Sequence, residues 1–206
     1  MTKINTVIFD VGGVLIKQDA AMAKDLTHEL DLDQTTLKHI FANQIALLGS
    51  GKIDESEFWQ QLTKEYGVRP VDVSENLLGR AFAKKLEAHV KIMQLVKELG
   101  LSDYQLVVLS NTIEAHAKAL RTAGIYDDFD QLFLSHEVGL RKPDPEIYKY
   151  VLNSLNVIPE ATLFIDDDTK NVEAAKVLGM NGIVFTNEDQ VVVNIRRALT
   201  ATNPHV

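Results

Sequence analysis

Asp10 closes a short run of apolar and β-branched residues, Thr6-Val7-Ile8-Phe9, and is followed by Gly12-Gly13. Downstream, three more runs of that kind end in polar residues. Val107-Val108-Leu109 leads into Ser110-Asn111-Thr112, the run at 131–134 into Ser135-His136-Glu137, and Phe164-Ile165 into Asp166-Asp167-Asp168. Two carboxylates about 4 Å apart repel by roughly 4 kcal/mol at an effective dielectric of 20, so bringing Asp10 beside Asp167 calls for a cation. Mg²⁺ suits such a site, because it takes a few hard carboxylates and keeps several waters. Ser110 and the Asn111 N–H offer donors to an anion, and Lys142, just before a helix that Pro143 and Pro145 help to start, adds positive charge. Carboxylate, cation, hydroxyl and lysine together are the parts that phosphoryl transfer needs. The Ser135-His136-Glu137 set stands outside them.

Strands and helices must bring these distant residues together. Five runs, 4–9, 106–109, 131–134, 162–165 and 182–185, have the length and composition of buried strands. The stretches 87–100, 113–124, 144–155 and 168–179 carry apolar residues at helical spacing, and their alternation with the strands predicts a parallel α/β sheet. Ligands bind such sheets beyond the carboxyl ends of the strands, where the polar residues named above fall. The alternation breaks once. From about 17 to 86 the pattern predicts four amphipathic helices near 19–30, 33–48, 54–66 and 72–85, punctuated by Gly49-Ser50-Gly51, Gly67 and Pro70.

Composition narrows the classes. The chain has 206 residues, 46% of them apolar, enough for an ordinary core. Its 21 Lys+Arg against 29 Asp+Glu give a net charge of −8, which repels a nucleic-acid backbone. With no cysteine there is neither a disulfide framework nor a thiolate metal site, and the cytoplasm is the expected location. The first apolar run is too short for a secretory signal, and no stretch is long enough to span a bilayer, so no membrane partner is expected.

In this order the residues resemble the haloacid dehalogenase-like hydrolase superfamily. Its four motifs are matched by Val7-Ile8-Phe9-Asp10-Val11-Gly12-Gly13-Val14-Leu15, by Val107-Val108-Leu109-Ser110-Asn111, by Lys142 within Arg141-Lys142-Pro143-Asp144-Pro145, and by Phe164-Ile165-Asp166-Asp167-Asp168 with Asn171. The resemblance implies a Rossmann-like parallel sheet core of residues 1–16 and 87–206, with a four-helix cap, 17–86, inserted after the first motif. It implies a Mg²⁺-dependent phosphatase of small phosphorylated metabolites, sugar phosphates among them, working through an aspartyl-phosphate. Asp10 would be the nucleophile and Lys142 the second catalytic residue. Ser110, Asn111 and Gly12 would contact substrate, the Asn111 side chain facing it. Asp10, Gly12, Asp167 and, in a supporting role, Asp166 would form the metal set. Asp168 reads as the N-cap of the next helix, and Asn171, one turn on, as a residue orienting Asp167.

One position departs from the family pattern. Most phosphatases of the superfamily carry a second Asp, an acid/base, where this chain has Gly12. Three consequences are open: a substrate with a good leaving group such as a sugar 1-phosphate, a replacement such as His136, Glu137 or a cap residue, or a protein that binds without turnover. Dehalogenases also lack that Asp, but their chemistry needs no metal, and Asp166-Asp167 argues for a cation and hence for phosphate. Gly49-Ser50-Gly51-Lys52 is not a phosphate-binding loop, since Ala46 and Ile53 stand where that motif needs Gly and Ser or Thr; it is a turn, with Lys52 a remote candidate for substrate contact. Phe58 and Trp59 read as core of the helical insertion. Oligomeric state cannot be read from the sequence.

Overall fold

The computed structural model describes residues 2–18 and 21–201. The five runs become parallel strands β1 (Thr6–Phe9), β2 (Gln105–Ser110), β3 (Gln131–Leu134), β4 (Thr162–Asp166) and β5 (Asn181–Val184), ordered β3-β2-β1-β4-β5 in one sheet. Between β1 and β2 lie α1 (Ala21–Leu30), α2 (Gln34–Leu48), α3 (Glu55–Tyr66), α4 (Leu77–Ala83) and α5 (Val90–Gly100). α6 (Glu114–Thr122) joins β2 to β3, and α7 (Ser135–Val138) and α8 (Pro145–Leu155) join β3 to β4. α9 (Thr169–Val177) leads to β5, and α10 (Glu188–Ala201) ends the described chain.

Strand side chains alternate between two apolar layers, as the pleat dictates. Val7, Phe9, Leu106, Val108, Leu163 and Ile165 pack with α5, α6 and α10 through Ile92, Val96, Leu120, Val191 and Ile195. Ile8, Val107, Leu109 and Phe164 pack on the other side against α8 and α9 through Ile147, Tyr148, Val151 and Ala175. β1 at the centre is buried along its whole length. Phe9 lies opposite Val108 on one neighbour and Ile165 on the other, and the Asp10 N–H extends the ladder to the Ile165 carbonyl at 2.9 Å. Parallel register therefore releases Asp10, Ser110 and Asp166 at the same edge of the sheet.

Helices α1 to α4 close a third apolar cluster, with Leu26, Ile40, Phe58, Trp59, Leu62, Leu77 and Leu78 buried, and it continues onto Ile113 and Ala115 of the α6 segment. Phe58 and Trp59 are core as expected, their rings meeting edge-on at 5.0 Å. Two expectations need correction. The helix expected over 72–85 is a 3₁₀ turn, Val73–Glu75, followed by the shorter α4. Asn76 between them is left-handed (φ 47°), and Asp72 and Glu75 cap that turn reciprocally, which stops the helix from running through. No helix was expected beyond 185, yet α10 is there, with Val191, Ile195 and Leu199 recurring every four residues and buried against the sheet layer. Among the described residues no helix is long and apolar enough to cross a membrane.

Candidate active site

Lys142 arrives on the loop between α7 and α8 and is almost wholly buried. Its Nζ lies 2.7 Å from Asp10 Oδ1 and 2.6 Å from Asp166 Oδ2, and it donates to the Leu109 carbonyl at 2.8 Å. An ammonium has three donors, and these three acceptors use them all. The Phe164 ring, 5.4 Å away, closes one side. A buried lysine is tolerated only when it is paired and hydrogen-bonded in this way. Tight packing in turn fixes where the Asp10 carboxylate points.

Polar side chains around Lys142 hold this framework in place. Asn111 donates from Nδ2 to the Lys142 carbonyl at 2.8 Å and accepts the Lys142 N–H at 2.9 Å, so its amide grips the lysine's backbone. Asn111 also borders the cleft, where the sequence reading expected it to face substrate. Asn171 is buried and donates to both oxygens of Asp166, at 3.0 and 3.1 Å, so it orients Asp166 and not Asp167. Asp166, with no exposed surface, also accepts the Asp168 N–H at 2.8 Å. Asp168 caps α9 through the Lys170 N–H at 2.9 Å, as the sequence indicated.

Asp10, Gly12, Ser110, Asn111, Lys142 and Asp167 line one cleft together, a volume of about 660 Å³. Gln18, Asp168, Thr169, Lys170 and Asn171 also line it. Sequence reasoning missed Gln18, Thr169 and Lys170. Thr169 and Lys170 adjoin the fourth motif and were within reach; Gln18 carries no local signal and enters only because the chain turns back over Asp167. Its Nε2 donates to Asp167 Oδ2 at 2.9 Å. Gly13, at φ 79°, lies so close that a Cβ there would stand 2.4 Å from Asp167 Oδ2, whereas a Cβ on Gly12 would meet nothing within 4 Å. The proposed replacements for an acid/base are elsewhere: His136 bonds Glu114 at 2.9 Å, Glu137 bonds Arg121 at 2.8 Å, and neither borders the cleft. Lys52 does not border it either. Ser135 ties the chain together behind it, receiving the Thr112 N–H at 2.9 Å and donating to the Gly49 carbonyl.

Charge in the cleft is unbalanced. Asp10, Asp166 and Asp167 offer carboxylate oxygens within 4.8 Å of one another. Among the described residues Lys142 is the one cation paired with them. Burial raises the Asp10 pKa to about 6 even though the Lys142 charge opposes it. Asp167 is likewise raised, by burial first and then by the Asp166 charge. Hard carboxylates in excess of positive charge fit a divalent cation such as Mg²⁺.

The chain belongs to the haloacid dehalogenase-like hydrolases, whose family model matches residues 4–179. It is 29% identical over 208 residues to the D-ribitol-5-phosphate phosphatase of Bacteroides thetaiotaomicron, covering 93% of this chain and 99% of that protein. It is 28% identical over 193 residues to the drimenol cyclase of Aspergillus calidoustus, covering 91% of this chain but spanning only 35% of that protein. Among solved structures, a HAD family enzyme of Bacteroides thetaiotaomicron in complex with magnesium and inorganic phosphate superposes with a TM-score of 0.76 at 26% identity, covering 89% of this chain and 94% of the other.

Proposed function

We propose that this hydrolase is a magnesium-dependent phosphatase that cleaves phosphate monoesters of small hydrophilic metabolites through an aspartyl-phosphate on Asp10. The observation that carries this reading is the Asp10–Lys142 pair at 2.7 Å, set beside Asp167 at the mouth of a cleft. Asp10 and Asp167 are the carboxylates to hold the cation, with the Gly12 backbone beside them and Asp166 bracing Lys142. The cation would supply charge neutralisation between the carboxylates and a bound phosphate. The solved relative that holds magnesium and inorganic phosphate supports this assignment.

Asp10 attacks phosphorus, the ester oxygen departs with its electron pair, and the phosphoryl group stays on the carboxylate. Lys142 keeps Asp10 directed into the cleft and offsets negative charge as it accumulates. Ser110 lines the cleft with its hydroxyl available to phosphoryl oxygens. Glycine at position 12 leaves the family's acid/base position without a carboxylate, which favours esters with good leaving groups such as sugar 1-phosphates. Among the described residues every one that lines the cleft is polar or glycine, and that lining suits a hydroxylated leaving group. Residues 17–86 act as a cap on a core formed by 1–16 and 87–206. The carboxylate cluster favours phosphate over halide as the leaving chemistry, because carbon–halogen hydrolysis needs no cation.

The test is hydrolysis of p-nitrophenyl phosphate and a panel of sugar phosphates with and without Mg²⁺, using wild type and Asp10→Asn. Expected is Mg²⁺-dependent release of phosphate by wild type and background release by the variant. Equal activity in both proteins, or none in either, contradicts the proposal.

A further inference from the structure

Hydrolysis of an aspartyl-phosphate needs a water held in line with phosphorus, and the cleft's usual candidates for that task are already committed. Asp10 and Lys142 are paired with each other, Asp168 caps α9, and Asp167 stands in the carboxylate cluster. Asn111 is engaged at both ends by the Lys142 backbone, and Asn171 by Asp166. Lys170 offers donors and no acceptor. Gln18 remains. Its Nε2 donates to Asp167 Oδ2 at 2.9 Å, which leaves Oε1 as the accepting end of an amide on a residue that lines the cleft. The entry of this segment is anchored: the Lys17 N–H donates to the Glu87 carbonyl at 2.8 Å, and the Lys17 ammonium pairs with the Glu87 carboxylate. Across the same cleft, Gly12 leaves open space where a side chain would begin.

We propose that Gln18 positions the hydrolytic water, an assignment that rests on the Asp10 reading above. With its donor end on Asp167, Oε1 accepts one hydrogen of a water lodged over Gly12 and aims its oxygen at phosphorus. The water oxygen bonds to phosphorus as the bond from phosphorus to the Asp10 oxygen breaks, and the electron pair returns to the Asp10 carboxylate. One proton of the water passes to a phosphoryl oxygen, the other stays on the new P–OH, and dihydrogenphosphate leaves. Gln18 orients this water and accepts no proton. It acts on the second step and not on the first.

Rapid-quench kinetics of p-nitrophenyl phosphate at saturating Mg²⁺ separate the steps. Gln18 is exposed, so Gln18→Met keeps the fold and the side-chain length while removing the amide. Expected for Gln18→Met is a burst of p-nitrophenolate equal to the enzyme concentration, then a steady state about 10- to 100-fold slower than wild type. Acid-quenched Gln18→Met protein should carry phosphate that Asp10→Asn does not. A steady state equal to wild type overturns the inference, as does a slower rate with no burst and no trapped phosphate. So does a defect that disappears when Mg²⁺ is raised, which calorimetric titration with Mg²⁺ would trace to Asp167. If wild type shows no Asp10-dependent turnover, the phosphatase reading falls together with the inference.

Discussion

Asn111 holds the main chain of Lys142 from both sides, accepting its N–H at 2.9 Å and donating to its carbonyl at 2.8 Å. The residue that places the ammonium against Asp10 is thus on a different loop, 31 positions away in sequence. Asn111→Ala removes both bonds and frees that loop to shift. A displacement of about 1 Å at a reacting group costs on the order of 10²-fold in rate, so kcat should fall about 10- to 100-fold with little change in KM. Wild-type kcat in Asn111→Ala, measured with saturating p-nitrophenyl phosphate and Mg²⁺, would show that Lys142 is positioned without it.

Adjacent glycines should respond in opposite ways. Gly12 has open space around its missing Cβ, so Gly12→Asp is expected to fold with wild-type stability and to place a proton donor over the cleft. A positioned acid/base contributes about 10²- to 10⁴-fold, and hydrolysis of esters with poor leaving groups should rise by about tenfold or more. Gly13 is at φ 79° with Asp167 Oδ2 2.4 Å from its would-be Cβ. Gly13→Ala is therefore strained and displaces Asp167, and Mg²⁺ affinity by calorimetry should drop. Equal behaviour of the two variants would contradict the close approach at Gly13.

Magnesium binding should tighten as pH rises through about 6, the value to which burial lifts Asp10, because a proton and the cation compete for one carboxylate. The folded protein holds this proton more tightly than the unfolded chain, whose Asp titrates near 3.8. The buried charge therefore costs nothing below the unfolded value and costs most above the folded one. Saturating MgCl₂ offsets that cost, and it should raise Tm more at about pH 7.5 than at about pH 5. Identical increments in scanning calorimetry at the two pH values would count against Asp10 as a ligand.

His116 supplies an acid-sensitive seam between the inserted helices and the core. Its ring stacks on Phe82 of α4 at 4.2 Å, its Nε2 is buried with no hydrogen-bond partner among the described residues, and burial holds its pKa down at about 4. The unfolded chain takes up a proton near 6.5 that the folded one refuses until about 4, so this contribution is complete above the first value and is lost as pH falls toward the second. A shift of that size corresponds to about 3 kcal/mol. His116→Phe should flatten the fall in stability over that window, as read by urea unfolding at several pH values. An unchanged pH dependence would mean that His116 is not the group responsible.

Much of the protein was legible in the residues themselves. Apolar runs of strand length fixed all five strands to within two residues, because a buried parallel strand needs continuous apolar side chains and tolerates little else. Polar residues that close three of those runs, Asp10, Ser110-Asn111 and Asp167-Asp168, line one cleft, since strand ends of a parallel sheet converge. Asp168 was recognisable as a cap from its own side-chain chemistry. The helix over 72–85 was misjudged because a left-handed Asn76 leaves no trace in hydrophobic spacing.

What the order of residues did not contain was the direction of each polar side chain. Asn111 was expected to turn its side chain to substrate and Asn171 to orient Asp167, whereas their amides hold the Lys142 backbone and Asp166, because a buried ammonium and a buried carboxylate must have every hydrogen-bonding position filled and the nearest amides fill them. Gln18 reached the cleft beside Lys17, which is tied to Glu87, a partner 70 residues from that lysine that no local pattern encodes. Sequence decided which residues could do the chemistry; only close packing in three dimensions decided which of them line the cleft and which hold the others in place.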